Sequence, residues 1–407
     1  MFNTIKSKIV FSGIVAVLIP VIITLFLINT EKENISKTVI NESEEQVKNS
    51  IQNVALDAYA LCESQQELLE KVMQANMNVT CDVIKNNGGL TLSDEMVSWK
   101  AIDQSSSKES NISLPKINVG GVSFEGKSWL GQNYDKNIYT PLVDDITKLV
   151  GGTCTIFQKM NDRGDMLRVA TNIITKEGRR AIGTFIPAID EKGVNNSVIE
   201  SVLSGKSFVG RAFVVDAWYI TNYSPLKDAN NKIIGMAYVG VKQESVESLR
   251  KAISSIVIGD TGYVFILGGT GAQKGQYIIS YKGEMDGKNV YDVKDNDGRH
   301  VTKEMIELAK NASGKPVFYN YFWKNQNEKI ARQKLVSLIY YEKWDWVIGA
   351  AAYMDEFKKA ADVINTNINQ LFLHSIYAAC ISIIISLLLT FSIGNNIGKN
   401  VEMILNT

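Results

Sequence analysis

The side chains best suited to chemistry are arginines set among aromatic residues on what read as short strands. In SFVGRAFVV, Arg211, Phe213 and Val215 alternate along one face. In the next strand, AWYITNYSPL, Tyr219, Thr221 and Tyr223 share a face with Trp218 opposite, because successive strand side chains alternate sides. Arg168 lies on MLRVATNI, with Ala170 and Asn172 on its own face. If Arg168 and Arg211 look into one concave side of a sheet, two guanidinium forks between the walls Trp218, Tyr219 and Tyr223 suit a small carboxylate, which Arg binds bidentately. The competing reading pairs each Arg with an acid, Asp216 or Asp165, and assigns the aromatics to an ordinary core. A second candidate pocket follows: Tyr319, Tyr321 and Trp323 alternate with Asn320 and Phe322, and Lys334 heads the strand KLVSLIYYE.

Other chemistry finds little footing. The two histidines are His300, in a turn, and His374, beside an apolar run; a His-centred triad, a two-His zinc site or a phospho-accepting histidine in its usual setting has nothing to stand on. Catalysis is disfavoured and no metal or cofactor is expected. GGTGAQKGQ, from Gly268, lacks the Gly-Lys-Ser/Thr ending of a phosphate loop and reads as a hairpin turn. KDNDGR resembles the start of a calcium loop, but no Glu stands twelfth from Asp295 or Asp297, so it too reads as a turn. The 43 basic and 43 acidic residues cancel and no long basic block occurs, which argues against nucleic acid as a partner.

These residues must be held by a longer framework. Residues 9–28, IVFSGIVAVLIPVIITLFLI, carry no charge and match the ~20 apolar residues that cross a bilayer core. They exceed the roughly 7–15 residues of a signal-peptide core, and no small-x-small site follows. A second span runs from Leu371 to Ile393. Lys6, Lys8 and Lys399 flank the spans on one side and Glu31 and Glu33 on the other, so both termini are expected in the cytoplasm, with residues 30–370 outside. The stretch Thr30 to Asn87 contains no Gly or Pro and reads as one helix of roughly 85 Å. Val47, Ile51, Val54, Ala58, Leu61, Gln65, Leu68 and Val72 follow heptad spacing along it; this stripe is either a homodimer seam or the face packed on its own domain. Cys62 and Cys81 lie about 28 Å apart on that helix and cannot pair within it, which leaves Cys62 open to a bridge between subunits.

Gly88-Gly89 ends the helix, and the Ser-, Lys- and Asn-rich stretch from Gln104 to Asn111 reads as an exposed loop. From about residue 150 short β-rich runs follow: TCTIFQKM, MLRVATNI, RAIGTFI, SFVGRAFVV, AWYITNYSPL and KIIGMAYVGVK, with NSVIESVLSG as a short helix. Ser245 to Ser255 reads as a connecting helix. A second unit then repeats the pattern with TGYVFILGG, GQYIISY, the helix TKEMIELAKNA, KPVFYNYFW, KLVSLIYYE and DWVIGAAAY. The fold class is α+β, two antiparallel-sheet domains carried by a long N-terminal helix. The expected boundaries are 1–8 cytoplasmic, 9–29 first span, 30–87 long helix, 88–245 and 246–357 the two sheet domains, 358–370 a linking helix, 371–393 second span and 394–407 a cytoplasmic helix.

The strings GGTCTIFQKMNDRGDMLRVATNI, RAIGTFIP, GRAFVVDAWYITNYSPLKD and KIIGMAYVGVKQE resemble the first half of the Cache 3/Cache 2 fusion family of extracytoplasmic sensors. GDTGYVFIL, GKNVYDVKDNDGR and YYEKWDWVIGAAAYMDEF resemble the single Cache module of its second half, and together they cover most of residues 115–357. The resemblance implies PAS-like sheets on a long helix, most often in methyl-accepting chemotaxis proteins and less often in sensor kinases or cyclases. It also gives DWVIGA, with Trp344 and Trp346, a fold-holding role. Two features depart from it: Ile279-Ser280 stands where single Cache modules often carry His-Pro, and GNNIGKNVEMILNT resembles the opening of a HAMP helix without its usual proline. The expectation is a cell-membrane, two-span, homodimeric receptor that binds a small molecule, such as an organic acid, and shifts the helix entering the second span. It would reach a chemotaxis adaptor and kinase only through a cytoplasmic domain beyond Thr407. The alternatives are the sensor region of a transmembrane histidine kinase or nucleotide cyclase, and a membrane-tethered binding module without output.

Overall fold

The computed structural model describes residues 5–120, 129–191, 193–215, 217–243, 247–295, 297–325 and 329–405. The chain divides into two compact units: residues 57–255 with 341–346 form the first, and residues 1–56, 256–340 and 347–407 the second. Helix α1, Ile5–Asn86, contributes to both. It stops where the sequence demands, at Gly88 and Gly89, both with positive φ. A Cβ on Gly88 would lie 2.3 Å from the Gly120 carbonyl oxygen, so only glycine fits this close approach.

The buried stripe of α1 differs from the heptad expectation. Val47, Ile51, Ala55, Ala58, Cys62, Gln66, Leu69, Met73, Met77, Thr80 and Ile84 are buried, in repeating steps of four, four and three. That eleven-residue period, 3.67 per turn, tracks a nearly straight helix, whereas a seven-residue stripe drifts ~20° per heptad around it. Leu61, Leu68 and Val72 have therefore rotated off the buried face and are 40–54% exposed. Cys62 is fully buried, closing it to a bridge between subunits, and burial pushes its thiol up to about 12.

The first unit holds strands β1 (Leu90–Asp103), β2 (Glu109–Val119), β3 (Trp129–Leu130), β4 (Thr153–Lys159), β5 (Met166–Thr171), β6 (Thr184–Ile186), β7 (Phe208–Val214), β8 (Ala217–Lys227) and β9 (Ile233–Lys242), with helices α2 (Val143–Val150), α3 (Ser197–Leu203) and α4 (Glu247–Ser254). They form one sheet in the order β3-β2-β1-β6-β5-β4-β9-β8-β7. Its pairings are antiparallel except β1 with β6, which run parallel through Ile102–Thr184 and Asp103–Phe185. The β1–β2 hairpin corrects the expected loop: Gln104–Lys108 make the turn, while Glu109–Asn111 already belong to β2. RAIGTFI likewise forms a strand only over Thr184–Ile186, with Arg180 in an isolated bridge to Ile174.

The second unit holds β10 (Val257–Ile258), β11 (Gly262–Gly268), β12 (Tyr277–Ile279), helix α5 (Val301–Asn311), β13 (Val317–Trp323), β14 (Arg332–Tyr341), β15 (Trp346–Tyr353) and helix α6 (Met354–Leu405). Its sheet runs β10-β11-β15-β14-β13, with β12 on β11. Phe265, Tyr277, Tyr321, Val336, Ala351 and Tyr353 meet Met305 and Ile306 of α5 in its core. Both α1 and α6 contain a charge-poor stretch long and apolar enough to cross a membrane, and neither stretch is buried.

Candidate ligand-binding site

Register settles which side chains of the first unit can meet. Arg168 pairs with Phe157 on β4, Phe157 with Met236 on β9, and Tyr238, two residues on from Met236, with Tyr223 on β8. Arg168, Tyr219, Tyr223 and Tyr238 therefore share one face, whose core includes Ile199 and Val202 of α3. Arg211 pairs with Ile220 and Phe213 with Trp218, on the other face. On that face Asn222 donates from Nδ2 to the Met73 carbonyl (3.4 Å) and to Gln74 Oε1 (3.2 Å) on α1. The two guanidiniums thus lie on opposite faces and do not form a joint carboxylate fork.

Arg168 is 1% exposed. Its Nη1 donates to Thr184 Oγ1, its guanidinium carbon lies 5.0 Å from the Phe157 ring centroid, and its Nε has no hydrogen-bond partner among the described residues. Burial pulls the guanidinium below its usual range, opposed by the nearby Tyr223, Tyr238 and Tyr219 phenols. Burial also raises Tyr223 and Tyr238 above the ordinary phenol range, keeping them neutral. Among the described residues no carboxylate makes an ion pair with Arg168. Asp165, the acid expected to compete for it, is taken by Asn161 (2.7 Å), Arg163 (3.0 Å) and the Ala188 amide (2.8 Å).

Arg180, expected only as a residue of a strand, shows what a structural arginine looks like in the same unit. Its Nη1 and Nη2 grip Asp144 Oδ1 and Oδ2 at 3.0 and 2.9 Å, while its remaining bonds reach the carbonyls of Asp135, Lys136, Ile138 and Thr171. All three guanidinium nitrogens are engaged, and the loop from Asp135 to Ile138 is pinned. Arg168 and Arg180 are both buried in one unit, with opposite satisfaction.

Arg211 stacks 3.7 Å over the Trp218 ring, and its Nε donates to Gln243 Oε1 at 2.7 Å. Arg211 and Trp218 meet Phe208 and Tyr223 of the opposite face around the free edge at β7, and together with Phe213 they line an open cavity of about 410 Å³. Tyr219 is core, and Asp216 lies outside the described residues. Thr184, which holds Arg168, lines a separate cavity of about 290 Å³ beside Lys100, Tyr134 and Arg179. Arg168 is thus one side chain removed from either space, through Tyr223 or through Thr184.

In the second unit the expected residues split. Tyr321 pairs with Lys334 and Trp323 with Arg332, so their side chains share a face. Lys334 is fully buried; its Nζ donates to Tyr263 Oη at 2.6 Å and lies 4.0 and 4.5 Å from the Tyr263 and Tyr353 ring centroids. Tyr319 instead turns its hydroxyl to Glu304 Oε2 (2.5 Å), beside Arg299. Trp323, Tyr263, Ser280 and Asn325 wall a small cavity of about 40 Å³, room for no more than a few waters. Ser280, at the position where single Cache modules often carry His-Pro, donates to Asp286 Oδ1 at 2.7 Å. The two glycine- and aspartate-rich motifs are turns: Gly271–Gln273 is a single helical turn, and Asp295 accepts from the Asp297 and Arg299 amides. In the first unit Trp344, fully buried, donates from Nε1 to Gln66 Oε1 and stands edge-on to Trp346 at 4.6 Å.

Comparison with known proteins fits this architecture. The chain is 29% identical over 104 residues to the sensor histidine kinase MctS of Rhizobium johnstonii, covering 26% of this chain and 21% of that one. It is also 29% identical over 73 residues to the methyl-accepting chemotaxis protein McpP of Pseudomonas putida, covering 18% and 13%. It therefore spans about a fifth or less of the length of these relatives. Among solved structures, the sensory domain of the Campylobacter jejuni chemoreceptor Tlp3 (CcmL) aligns with 79% of this chain and 98% of its own, at 11% identity and a TM-score of 0.38. The family model for the Cache 3/Cache 2 fusion domain matches residues 36–367. With a long helix carrying two antiparallel-sheet units and a match over most of its length, this chain belongs to the Cache 3/Cache 2 fusion domain family.

Proposed function

We propose that the chain is the ligand-sensing and transmembrane part of a chemoreceptor, with domains 88–245 and 246–357 outside the cell membrane and the apolar stretches of α1 and α6 spanning it. The ligand is a small carboxylate, and Arg168 holds it. One observation carries this reading: among the described residues Arg168 is a buried cation with no ion-paired acid and an unused Nε, while Arg180 in the same unit is fully paired. A guanidinium stays charged in a protein, and leaving it buried without a counter-charge costs several kcal/mol. An incoming carboxylate would supply that charge and fill the fork. One solved Cache chemosensory domain to which the chain is similar is known for carboxylic acid recognition, the same ligand class.

The exposed residues Leu61, Leu68, Val72 and Val79 of α1 support a homodimer along that helix, in which two copies cover each other's apolar stripe. The match to MctS supports a second reading, in which the same sensor feeds a histidine kinase. Both readings share the ligand step. Calorimetric titration of the full chain in lipid nanodiscs with small monocarboxylates and their uncharged amides tests it. The acids should bind and the amides should not, and Arg168→Met should weaken binding by at least tenfold, given ~1.5–3 kcal/mol for a hydrogen bond to a charged group. Equal binding by acid and amide, or full affinity in Arg168→Met, overturns the assignment.

A further inference from the structure

The second unit contains a charge and aromatic clamp at the point where its last strand becomes α6. Arg332, near the start of β14, donates from Nη2 to Asp355 Oδ1 (2.8 Å) and Glu356 Oε1 (2.9 Å), both in the first turn of α6. Glu356 also accepts from the Asp260 amide (2.9 Å) and from the Thr261 hydroxyl at the head of β11. A guanidinium on one strand, a strand-leading turn and a helix N-terminus are thus joined through two carboxylates, which the N-terminal end of the helix dipole also favours.

Tyr353, the residue before α6, is held from several directions. Its ring lies 3.6 Å from the Arg332 guanidinium carbon and 4.5 Å from Lys334 Nζ. Its hydroxyl accepts from Asn325 Nδ2 at 2.6 Å; Asn325 Oδ1 accepts from Tyr263 Oη at 2.9 Å, and Tyr263 accepts from Lys334 at 2.6 Å. Asn325 and Tyr263 are also walls of the 40 Å³ cavity. From Tyr353 onward no proline interrupts the 52 residues of α6, so a displacement at its first turn is carried along the helix.

We propose that this clamp is a conformational device: Arg332 and Tyr353 fix the first turn of α6 to the sheet, and displacement of Asn325 or Tyr263 at the cavity wall releases it. The clamp stands whether or not Arg168 binds a carboxylate. Arg332 is a positioning residue; it acts on α6 through Asp355 and Glu356. Helix shifts of ~1–2 Å belong to the known repertoire of such switches, and both states stay within one fold if the sheet survives the release.

Hydrogen–deuterium exchange on the full chain in nanodiscs reads the release directly. Arg332→Gln and Glu356→Gln should each raise exchange at least tenfold over residues 355–362 and leave the strand segments 335–339 and 347–352 protected. Arg332→Lys, which keeps the charge but loses the fork, should fall between wild type and Arg332→Gln. Asn325→Ala, which alters the cavity wall without touching α6, should raise exchange over 355–362 through Tyr353. Unchanged exchange there in Arg332→Gln and Glu356→Gln overturns the clamp, as does a rise across both strands, since Arg332 would then only hold the fold. No effect of Asn325→Ala beside a clear effect of Arg332→Gln overturns the link to the cavity.

Discussion

Replacing Arg168 by methionine should make the ligand-free protein more stable, not less. Methionine has similar length and bulk, and among the described residues the bond lost to protein is the one to Thr184 Oγ1, together with a ring contact to Phe157. The ring contact is worth roughly 0.5–2 kcal/mol and the hydrogen bond ~1.5–3 kcal/mol. Thr184 is not orphaned, because its hydroxyl still donates to the Ala181 carbonyl at 2.9 Å. Against these losses stands the effective penalty for burying a charge, several kcal/mol, which methionine removes. Replacing buried ionic groups by apolar ones gains about 1–4 kcal/mol where it has been measured, and the lower part of that range, about 1–3 kcal/mol, is the gain expected here. At ~2–4 °C per kcal/mol for a domain of 150–250 residues, the melting temperature should rise by about 2–12 °C. Arg180→Met is the control: it strands the Asp144 carboxylate and several carbonyls, and should cost about 3–5 kcal/mol. Thermal unfolding followed by tryptophan fluorescence, on both variants in the same nanodiscs, decides between them. If Arg168→Met is destabilised as much as Arg180→Met, Arg168 is a structural residue and the ligand argument built on its missing counter-charge fails.

Other consequences are as direct. Gly235→Ala would place a Cβ 2.0 Å from the Phe157 carbonyl oxygen, so it should weaken the β4–β9 pairing by ~1–3 kcal/mol, visible as faster amide exchange in both strands. Gln66→Leu leaves the Trp344 indole N–H buried without its acceptor and should cost ~1–3 kcal/mol, measured by denaturant unfolding. Burial raises the Asp355 and Glu356 carboxyls, but their hydrogen bonds and the Arg332 charge outweigh it and hold both below the usual range. Their contribution is therefore complete above the unfolded values, about 4, and lost as pH falls through the depressed folded values; protection of residues 355–362 should stay constant from pH 8 to 5 and fall only in stronger acid. Maleimide should label the exposed Cys81 and spare the buried Cys62 and Cys154 until denaturant is added, as read by mass spectrometry.

Much of the framework was legible because it rests on local signals. Two uncharged apolar runs and the absence of Gly or Pro from Thr30 to Asn87 are enough to fix the long helices, and the helix expected over Ser245 to Ser255 is α4, Glu247–Ser254. The β1–β2 hairpin was hidden because Asp94, Glu95 and Lys100 sit on its exposed side, leaving no continuous apolar run. Which face each arginine occupies was beyond local reading. It depends on a register shift between Ile156 and Phe157 and on the spatial order of β5, β4, β9, β8 and β7. Arg180 was illegible for a similar reason: apart from the Thr171 carbonyl, its partners are three carbonyls more than forty residues upstream and a carboxylate thirty-six away. The stripe on α1 was half legible, since seven- and eleven-residue periods coincide at Val47, Ile51 and Ala58 before they diverge.

The pairing of Gln66 with Trp344 also constrains the order in which the molecule can be made. The two residues are 278 positions apart, and Glu63 and Lys343 close the same span at 2.5 Å. At ~5–20 residues per second on the ribosome, the socket on α1 waits roughly 15–55 seconds for its indole. Until then Tyr59, Glu63 and Gln66 on the earliest-made part of the first unit lack their partners Tyr341, Lys343 and Trp344. Excising residues 57–255 would make that vacancy permanent, because the first unit is completed by six residues, 341–346, encoded after residues 256–340 of the second. A soluble version of the first unit would have to carry Tyr341–Trp346 on a graft.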